Sequence, residues 1–212
     1  MRKLKTNAEL LAYIAELYMK RGELLSGKAK PAEDNLIFDG FFRKYVRVRA
    51  VQAGKDRVGQ HLSTIMSDGH VEVKDAVIQD PTDWIVTNPM GEAYIVKDAK
   101  FKKTYELNVG ADGKHAPIGG VNHFISVPED IEFLVPWGEG GSLIPFNLKA
   151  GGYLNVTDID ENLDKKPIED LDIYGVQREE FNETYALCDK NGKFLSPALR
   201  KAFGQKDKGD KQ

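Results

Sequence analysis

Residues 93–107 read AYIVKDAKFKKTYEL, and residues 173–187 read IYGVQREEFNETYAL. The two stretches align without a gap and share these identical pairs: Tyr94 and Tyr174, Val96 and Val176, Phe101 and Phe181, Thr104 and Thr184, Tyr105 and Tyr185, Leu107 and Leu187. Tyr94 and Val96 have the spacing of one strand face, and Phe101 and Tyr105 have the spacing of one helix face. The shared residues therefore predict a strand followed by a short helix in both stretches.

The surroundings of both stretches extend the match to a small module. An aromatic residue begins a predicted strand upstream of each, Trp84 in one case and Tyr153 in the other. Two strands closed by a helix that packs its Phe and Tyr on the sheet explain both copies, and we expect these aromatic residues to be interior packing groups. We predict an α+β fold in which an N-terminal amphipathic helix is followed by two diverged copies of a small β-rich module, each closed by a short helix.

The predicted module boundaries follow from the composition of the connecting segments. They are 1–30 for the N-terminal helix and linker, 36–108 for the first β-rich module, 121–190 for the second, and 204–212 for a disordered tail. Strands are predicted at 45–52, 69–78, 83–88, 93–96, 123–127, 132–137, 142–148, 153–157 and 173–176. Short helices are predicted at 98–105, 178–185 and 198–203, a hairpin turn at 138–141, and an inter-module loop at 108–122.

The N-terminal helix has a clear start signal. Thr6 and Glu9 have the spacing of a capping box, in which each side chain satisfies a free backbone N–H at the helix start. An apolar stripe follows at helical spacing, consisting of Leu10, Leu11, Ile14, Leu17 and Tyr18. Gly22 is the predicted end of the helix. We expect the stripe to pack on the protein's own core, and burial on a partner is the alternative.

A second pattern surrounds the first stretch. Residues 80–94 read DPTDWIVTNPMGEAY, and the pattern continues to Phe101 and to Tyr105-Glu106. This segment resembles a family of small phage and prophage proteins that read Pro-Gly-Asp-Trp/Tyr, two or three β-forming residues, a Gly-Glu turn, Tyr, Phe and a closing Tyr-Glu. Thr82 stands where that family usually has Gly. The resemblance covers residues 45–107 and implies a phage or prophage origin and a small β-rich module, without catalytic residues.

Composition excludes several classes of protein. Hydrophobic residues make up 41% of the 212 and charged residues 30%, the balance of a folded protein. The net charge of −3 provides no whole-chain attraction to phosphate. Cys188 is the only cysteine, so an intrachain disulfide is impossible. Glu9 and Glu16 interrupt the first apolar stretch, which argues against a secretory signal, and no apolar run is long enough to span a membrane. We therefore expect a cytoplasmic protein of the host cell, with no membrane partner.

One segment concentrates basic and aromatic residues. The predicted binding residues are Arg43, Lys44, Tyr45, Arg47 and Arg49. Such a cluster can bind a nucleotide or nucleic acid through phosphate contacts and stacking. The alternative is a solvated strand face over a packed aromatic edge, which the acidic net charge favours.

Three further patterns suggest chemistry only weakly. An acidic stretch places oxygen-bearing residues at positions 1, 3, 5, 7 and 12 of an EF-hand-type calcium loop: Asp158, Asp160, Asn162, Asp164 and Glu169. Leu163 stands where such a loop needs Gly, so a solvated acidic loop is favoured. His70 and Glu72 share one strand face but have no third ligand nearby, and Cys188 is expected to be a buried small side chain. We therefore name no metal site, no cofactor and no catalytic residue.

Three classes of function remain open. The leading one is a non-catalytic phage-encoded binding protein that engages a host protein or a nucleotide, in host takeover or anti-defence. The others are a structural component of a phage particle and an enzyme acting on a nucleotide-like substrate, with His70 and Glu72 as an acid–base pair. The sequence favours the first, because no set of residues with catalytic spacing is visible. We expect a host or phage protein as partner; a nucleotide, a nucleic acid or a second copy of this chain are the alternatives.

Overall fold

The structure is a computed structural model that describes residues 1–26, 37–65, 71–163, 165–167, 170–196 and 198. These residues form a mixed α+β fold made mostly of β-sheets, and an N-terminal helix precedes most of the strands. The predicted fold class and the N-terminal helix are therefore confirmed. The predicted helix at 198–203, apart from its first residue, and the predicted tail at 204–212 lie outside the described residues.

Short strands account for most of the regular structure. The strands are β1 (Arg2–Leu4), β2 (Asp39–Lys44), β3 (Arg49–Gln52), β4 (His61–Ile65), β5 (Val71–Val77), β6 (Trp84–Thr87), β7 (Ala93–Val96), β8 (Tyr105–Val109), β9 (His115–Pro117), β10 (Val121–Ser126), β11 (Ile131–Val135), β12 (Ile144–Leu148), β13 (Tyr153–Asn155), β14 (Gly175–Val176) and β15 (Tyr185–Cys188). The α-helices are α1 (Asn7–Leu25), α2 (Asp98–Thr104), α3 (Thr157–Asn162) and α4 (Arg178–Thr184). Within the described ranges, no helix combines the length and the apolar character needed to cross a bilayer.

Helix α1 begins with the predicted capping box and packs on the protein's own core. The Glu9 backbone N–H donates to Thr6 Oγ1 over 3.1 Å, and the Thr6 N–H donates to the Glu9 carboxylate over 3.2 Å. Leu10 and Ile14 from its apolar stripe are buried in the largest core cluster. The helix does not end at Gly22, as predicted, because a single glycine weakens a helix without breaking it.

The first sheet has the strand order β1-β11-β12-β5-β4. β1 runs parallel to β11, and the other neighbours are antiparallel. Phe133 and Phe146 lie on this sheet with ring centroids 5.0 Å apart and belong to the same core cluster as the stripe of α1. The predicted turn at 138–141 connects β11 and β12 as a hairpin.

The second sheet is antiparallel throughout, in the order β14-β13-β10-β2-β15. The third sheet has the order β3-β6-β7, and β8 pairs separately with β9. A single bridge between Val48 and His115 connects the β3 side of the third sheet to β9. Each of these two sheets has its own aromatic core, around Phe181 in the second and around Phe101 in the third.

Two predicted elements differ from the structure. The predicted strand at 45–52 begins only at Arg49, and a separate strand, β2, precedes it and belongs to another sheet. The predicted loop at 108–122 contains β9 and the start of β10. A three-residue strand among glycines has no period-2 run long enough to be detected from sequence. Because of β2 and β9, sheet pairing does not stay within the predicted ranges 36–108 and 121–190.

The two matching stretches have similar local geometry. Helices α2 and α4 both have seven residues, and both are preceded by an extended residue, with ψ of 141° at Lys97 and 148° at Gln177. Trp84 stacks on Phe101 with ring centroids 4.0 Å apart. The second stretch has the corresponding stack of Tyr153 on Phe181, at 3.8 Å. The two Phe rings are fully buried, as expected of interior packing groups.

Candidate functional site

A cavity of about 720 Å³ lies where the three larger sheets meet. Its wall includes Phe146 from the first sheet, Lys44 from the second and Tyr94 from the third, together with residues of α2 and α4. Small-molecule sites have cavities of roughly 300–1,000 Å³, with mostly apolar walls and a few convergent polar groups. The cavity is therefore large enough for a ligand of nucleotide size.

Lys44 places a positive charge in the wall of this cavity. It is the last residue of β2 and lies opposite Tyr185 of β15. Its Nζ donates a hydrogen bond to the Tyr105 hydroxyl over 2.8 Å. The same nitrogen lies 5.3 Å from the ring centroid of Tyr105, 5.4 Å from that of Tyr185 and 5.9 Å from that of Tyr94. Ring faces at such distances attract a cation, so three tyrosines hold one ammonium in place.

These surroundings keep Lys44 charged and its tyrosine neighbours protonated. Burial is the largest single influence on Lys44 and lowers its pKa, but the neighbouring tyrosines, led by Tyr105 and Tyr185, together raise that pKa well above its usual value. Burial also raises the pKa of Tyr94 and of Tyr185 well above the usual range. At neutral pH the cavity therefore presents an ammonium group and hydroxyl groups that can donate hydrogen bonds.

Some of these donors have no acceptor. The Tyr94 hydroxyl is buried and has no hydrogen-bond partner in the described part of the chain. Tyr105 is close enough to contribute to the raised pKa of Tyr94, but the two hydroxyls do not have the geometry of a hydrogen bond. A buried polar group without a partner costs free energy that water or a ligand can offset. Tyr94 and the remaining N–H groups of Lys44 can therefore serve an acceptor in the cavity.

Two carboxyl groups lie beside this cluster. Glu180 of α4 lines the cavity, and burial raises its pKa against the opposing effects of Lys44 and of a hydrogen bond with Asn88. Glu92, just after the β6–β7 turn, is 3% exposed and raises the pKa of Glu180 further. Both carboxyl oxygens of Glu92 lack a hydrogen-bond partner among the residues described. The site thus combines a fixed cation with a carboxyl group that can be neutral or charged.

Helix α2 adds positive charge at the rim. Lys97, at its start, pairs with Asp83 over 3.0 Å, and Lys100 pairs with Asp172 over 2.6 Å. Lys103 is exposed, lines the cavity and pairs with none of the residues that the structure describes. Because ion pairs offset two of these three charges, the rim is less positive than its lysines suggest.

The five predicted binding residues point to different places. Lys44 is the one among them that lines the cavity. Arg43 donates to the backbone oxygen of Gly192 over 2.7 Å, and its guanidinium lies 4.9 Å from the ring centroid of Phe194. This arginine therefore packs on the turn that follows β15.

The other three predicted residues lie away from the cavity lining. Arg47 is exposed and donates to the backbone oxygen of Lys114 over 3.3 Å, and it lies 3.5 Å from the Asp112 carboxylate. Arg49 is exposed on β3, and Tyr45 is half-buried just after β2. The structure thus brings Lys44 to the cavity without the rest of the cluster.

The four tyrosines of the two matching stretches are the cavity residues that sequence reasoning missed. They are Tyr94, Tyr105, Tyr174 and Tyr185, and all of them line the cavity. We expected packing groups, and Tyr105 and Tyr185 are indeed buried, but their hydroxyls face one polar site. The signal was present in the sequence: tyrosine, not phenylalanine, recurs at every one of these positions, and a buried tyrosine needs a partner for its hydroxyl.

The weak metal and acid–base patterns find little support. Asp158 lies in helix α3, where it accepts hydrogen bonds from Lys166 and from the Asp172 backbone N–H. A helix does not have the coiled shape of a calcium-binding loop. Asp164, Glu169 and His70 lie outside the described residues, as does the side chain of Glu72. Among the residues described, no cluster of His, Cys, Asp and Glu is suited to hold a metal ion.

Comparison with known protein families, with curated proteins and with solved structures finds no match. No activity, ligand or partner is therefore carried over from a relative. The cavity, its fixed cation and its unpartnered hydroxyl are the basis for a function.

Proposed function

We propose that this protein is a non-catalytic binding protein whose central cavity takes a negatively charged, nucleotide-like small molecule. The observation that carries this proposal is the Lys44 ammonium, held among tyrosine rings in the cavity wall. A cation in such a partly enclosed site attracts phosphate more strongly than a surface lysine does, because less water screens it. The unpartnered Tyr94 hydroxyl supplies a further donor, and the aromatic walls suit a nucleobase.

The protonation states favour binding over acid–base catalysis. A general acid or base works best when its pKa lies near the working pH. The raised pKa values of Lys44, Tyr94 and Tyr185 keep these groups protonated at neutral pH. They are therefore suited to donate hydrogen bonds to an anion.

The resemblance to small phage and prophage proteins supports a biological setting for this binding. A phage-encoded protein that captures a nucleotide-like molecule in the cytoplasm of the host removes it from host processes. We therefore propose a role in host takeover or anti-defence. Between the two ligand classes that the sequence leaves open, the cavity favours the nucleotide over a host protein, because concave sites of this size suit small molecules.

We also propose that residues 39–109 and 115–188 are two copies of one module. Three relationships support this. The order β7, α2, β8 recurs as β14, α4, β15. β6 lies between β3 and β7, as β13 lies between β10 and β14. The hairpin of β4 and β5 corresponds to that of β11 and β12, and the two hairpins meet through the pairing of β5 with β12.

In this proposal the two copies exchange their first strands. β2 precedes β3 in the chain but pairs with β10 and β15, and β9 precedes β10 but pairs with β8 and is bridged to the β3 side. The exchanged strands fill equivalent places: Phe42 packs on Phe181 with ring centroids 4.6 Å apart, and His115 packs on Phe101 at 5.2 Å. Each copy thus completes the sheet of the other.

Calorimetry with nucleoside monophosphates tests the proposed function. We expect at least one of the four common nucleoside monophosphates to bind the wild-type protein, and its phosphate-free nucleoside to bind more weakly. Lys44→Met should weaken binding of the monophosphate by about tenfold or more, since it removes a charge-assisted contact. Arg47→Met is the matched control, because Arg47 belongs to the same sequence cluster but lies outside the cavity lining. The absence of binding, or equal binding by the Lys44 variant, would overturn the proposal.

One observation favours a second candidate, an enzyme acting on a nucleotide-like substrate. Glu180 lines the cavity and has a raised pKa, and such carboxyl groups are frequent at catalytic sites. Chromatography of nucleotides incubated with the protein separates the two candidates. New products that disappear with Glu180→Gln would support the enzyme, and nucleotides recovered unchanged support binding alone.

A further inference from the structure

The lining of the cavity repeats itself from one half of the chain to the other. Lining residues occur in pairs at matching positions of the stretches 93–107 and 173–187, and these pairs are Tyr94 and Tyr174, Val96 and Val176, and Tyr105 and Tyr185. The adjoining strands also contribute in kind, because β5 and β12 both supply lining residues. A cavity built twice from the same positions has two similar sides.

The Lys44 ammonium lies midway between these two sides. Its Nζ is 5.3 Å from the ring centroid of Tyr105 and 5.4 Å from that of Tyr185, its equivalent in the other half. Tyr94 on one side and Tyr174 on the other both act on the pKa of Lys44. One positive charge at the centre and one tyrosine at each side form the pattern that a ligand would have to match.

The two sides cross over between the halves of the chain. Lys100 of α2 lies 4.6 Å from the ring centroid of Tyr174, which belongs to the other half. Glu180 occupies the matching position in α4 and acts on the pKa of Tyr94. Each tyrosine is therefore faced by the helix of the opposite half, as expected for two equivalent sides related by an exchange. The charges differ, so the two sides have similar shape but different hydrogen-bonding preference.

We propose that the ligand of this cavity has two similar halves joined through a negatively charged linker, as in a dinucleotide whose phosphate connects two nucleosides. The phosphate lies at Lys44, and one nucleoside lies on each side, against Tyr94 and against Tyr174. The opposing Glu180 accepts from an amino group of one base, and Lys100 donates to a ring or carbonyl acceptor of the other. This inference rests on the proposed function and specifies the ligand of the same site.

Calorimetry with a panel of 3′,5′-linked dinucleoside monophosphates, covering all base combinations, tests this inference. We expect the best dinucleotide to bind one per chain and at least about 100-fold more tightly than either nucleoside monophosphate made from its own bases, since both sides and the central cation are then engaged at once. Tyr94→Ala and Tyr174→Ala should each weaken dinucleotide binding by about tenfold through loss of stacking. Tyr94→Phe and Tyr174→Phe keep the rings and should weaken it less, which separates stacking from loss of the fold. Leu107→Ala, on an exposed edge, is the control that should leave binding unchanged.

The outcomes separate this inference from the proposed function. If a nucleoside monophosphate binds one per chain as tightly as any dinucleotide, and Lys44→Met still abolishes that binding, the two-part ligand is wrong and the proposed function stands. Loss on substitution of Tyr94 with no effect at Tyr174 would also overturn the two-part ligand. If no member of either panel binds, or Lys44→Met changes nothing, both proposals fail.

Discussion

The Lys44 ammonium donates a hydrogen bond to the Tyr105 hydroxyl over 2.8 Å, although β2 and β8 belong to different sheets. The bond fastens the end of β2, which pairs with β10 and β15, to the strand that follows α2. It therefore connects the second sheet to the aromatic core around Phe101. The group that we assign to ligand binding thus also contributes to the stability of the fold.

Removing the acceptor of this bond should cost stability. Tyr105→Phe keeps the packed ring but leaves the ammonium with one hydrogen bond fewer, so we expect the free energy of unfolding to fall by about 1–3 kcal/mol. Urea denaturation followed by circular dichroism measures this change. An unchanged unfolding midpoint would show that water replaces the hydroxyl without loss.

Leu107 and Leu187 are identical in the two matching stretches but differ in burial. Leu187 is 4% exposed in the core of the second sheet, and Leu107 is 52% exposed on β8. Leu187→Ala should therefore destabilise the protein by about 2–5 kcal/mol, and Leu107→Ala by less than about 0.5 kcal/mol. Denaturant titration of the two variants side by side provides the comparison. Equal effects would contradict the difference in environment.

Gly119 and Gly120 are neighbours with different backbone requirements. Gly119 has φ of +92°, and a Cβ there would overlap the Arg43 guanidinium, whereas a Cβ at Gly120 would meet no atom within 4 Å. Gly119→Ala should cost about 2 kcal/mol, from the left-handed backbone and from displacement of Arg43. Gly120→Ala is the matched control, with an expected change within about 0.5 kcal/mol. Thermal unfolding of both variants tests this, and a neutral Gly119→Ala would contradict it.

Glu180 should make stability depend on pH. Burial raises its pKa above the ordinary value of 4.5. The folded protein therefore holds this proton at pH values where the unfolded chain has lost it, so stability falls as pH rises from the ordinary value to the raised one. Glu180→Gln removes this proton and should flatten that part of the stability profile. Urea denaturation at a series of pH values measures it, with Glu179→Gln, at an exposed position of the same helix, as control. A profile that keeps its slope in Glu180→Gln would mean that another group titrates there.

Sequence patterns predicted the elements whose signals are local. The capping box of Thr6 and Glu9, the two short helices and the strand at 93–96 depend on neighbouring residues and are confirmed. β2 and β9 could not be predicted, because their place is set by pairing with distant strands and not by a period of their own. Local signals therefore find elements, while long-range pairing decides which sheet they join.

The candidate site was predicted only in part, for a related reason. Lys44 was recognised as a basic residue in a basic cluster, but β-sheet geometry turns it away from Arg43 and toward the tyrosines. Successive residues of a strand point to opposite faces, so residues that are adjacent in sequence can serve separate surfaces. The convergence of four tyrosines from two distant stretches is a tertiary event that spacing along the chain does not reveal.

The places of β2 and β9 bear on how the polypeptide survives damage. The turn at 110–114 joins β8 to β9 and lies on the connection between the two halves. A protease that nicks this turn would produce two fragments, each lacking a strand that the other carries. Such fragments would stay interlocked after the cut and would regain their structure after denaturation only when mixed.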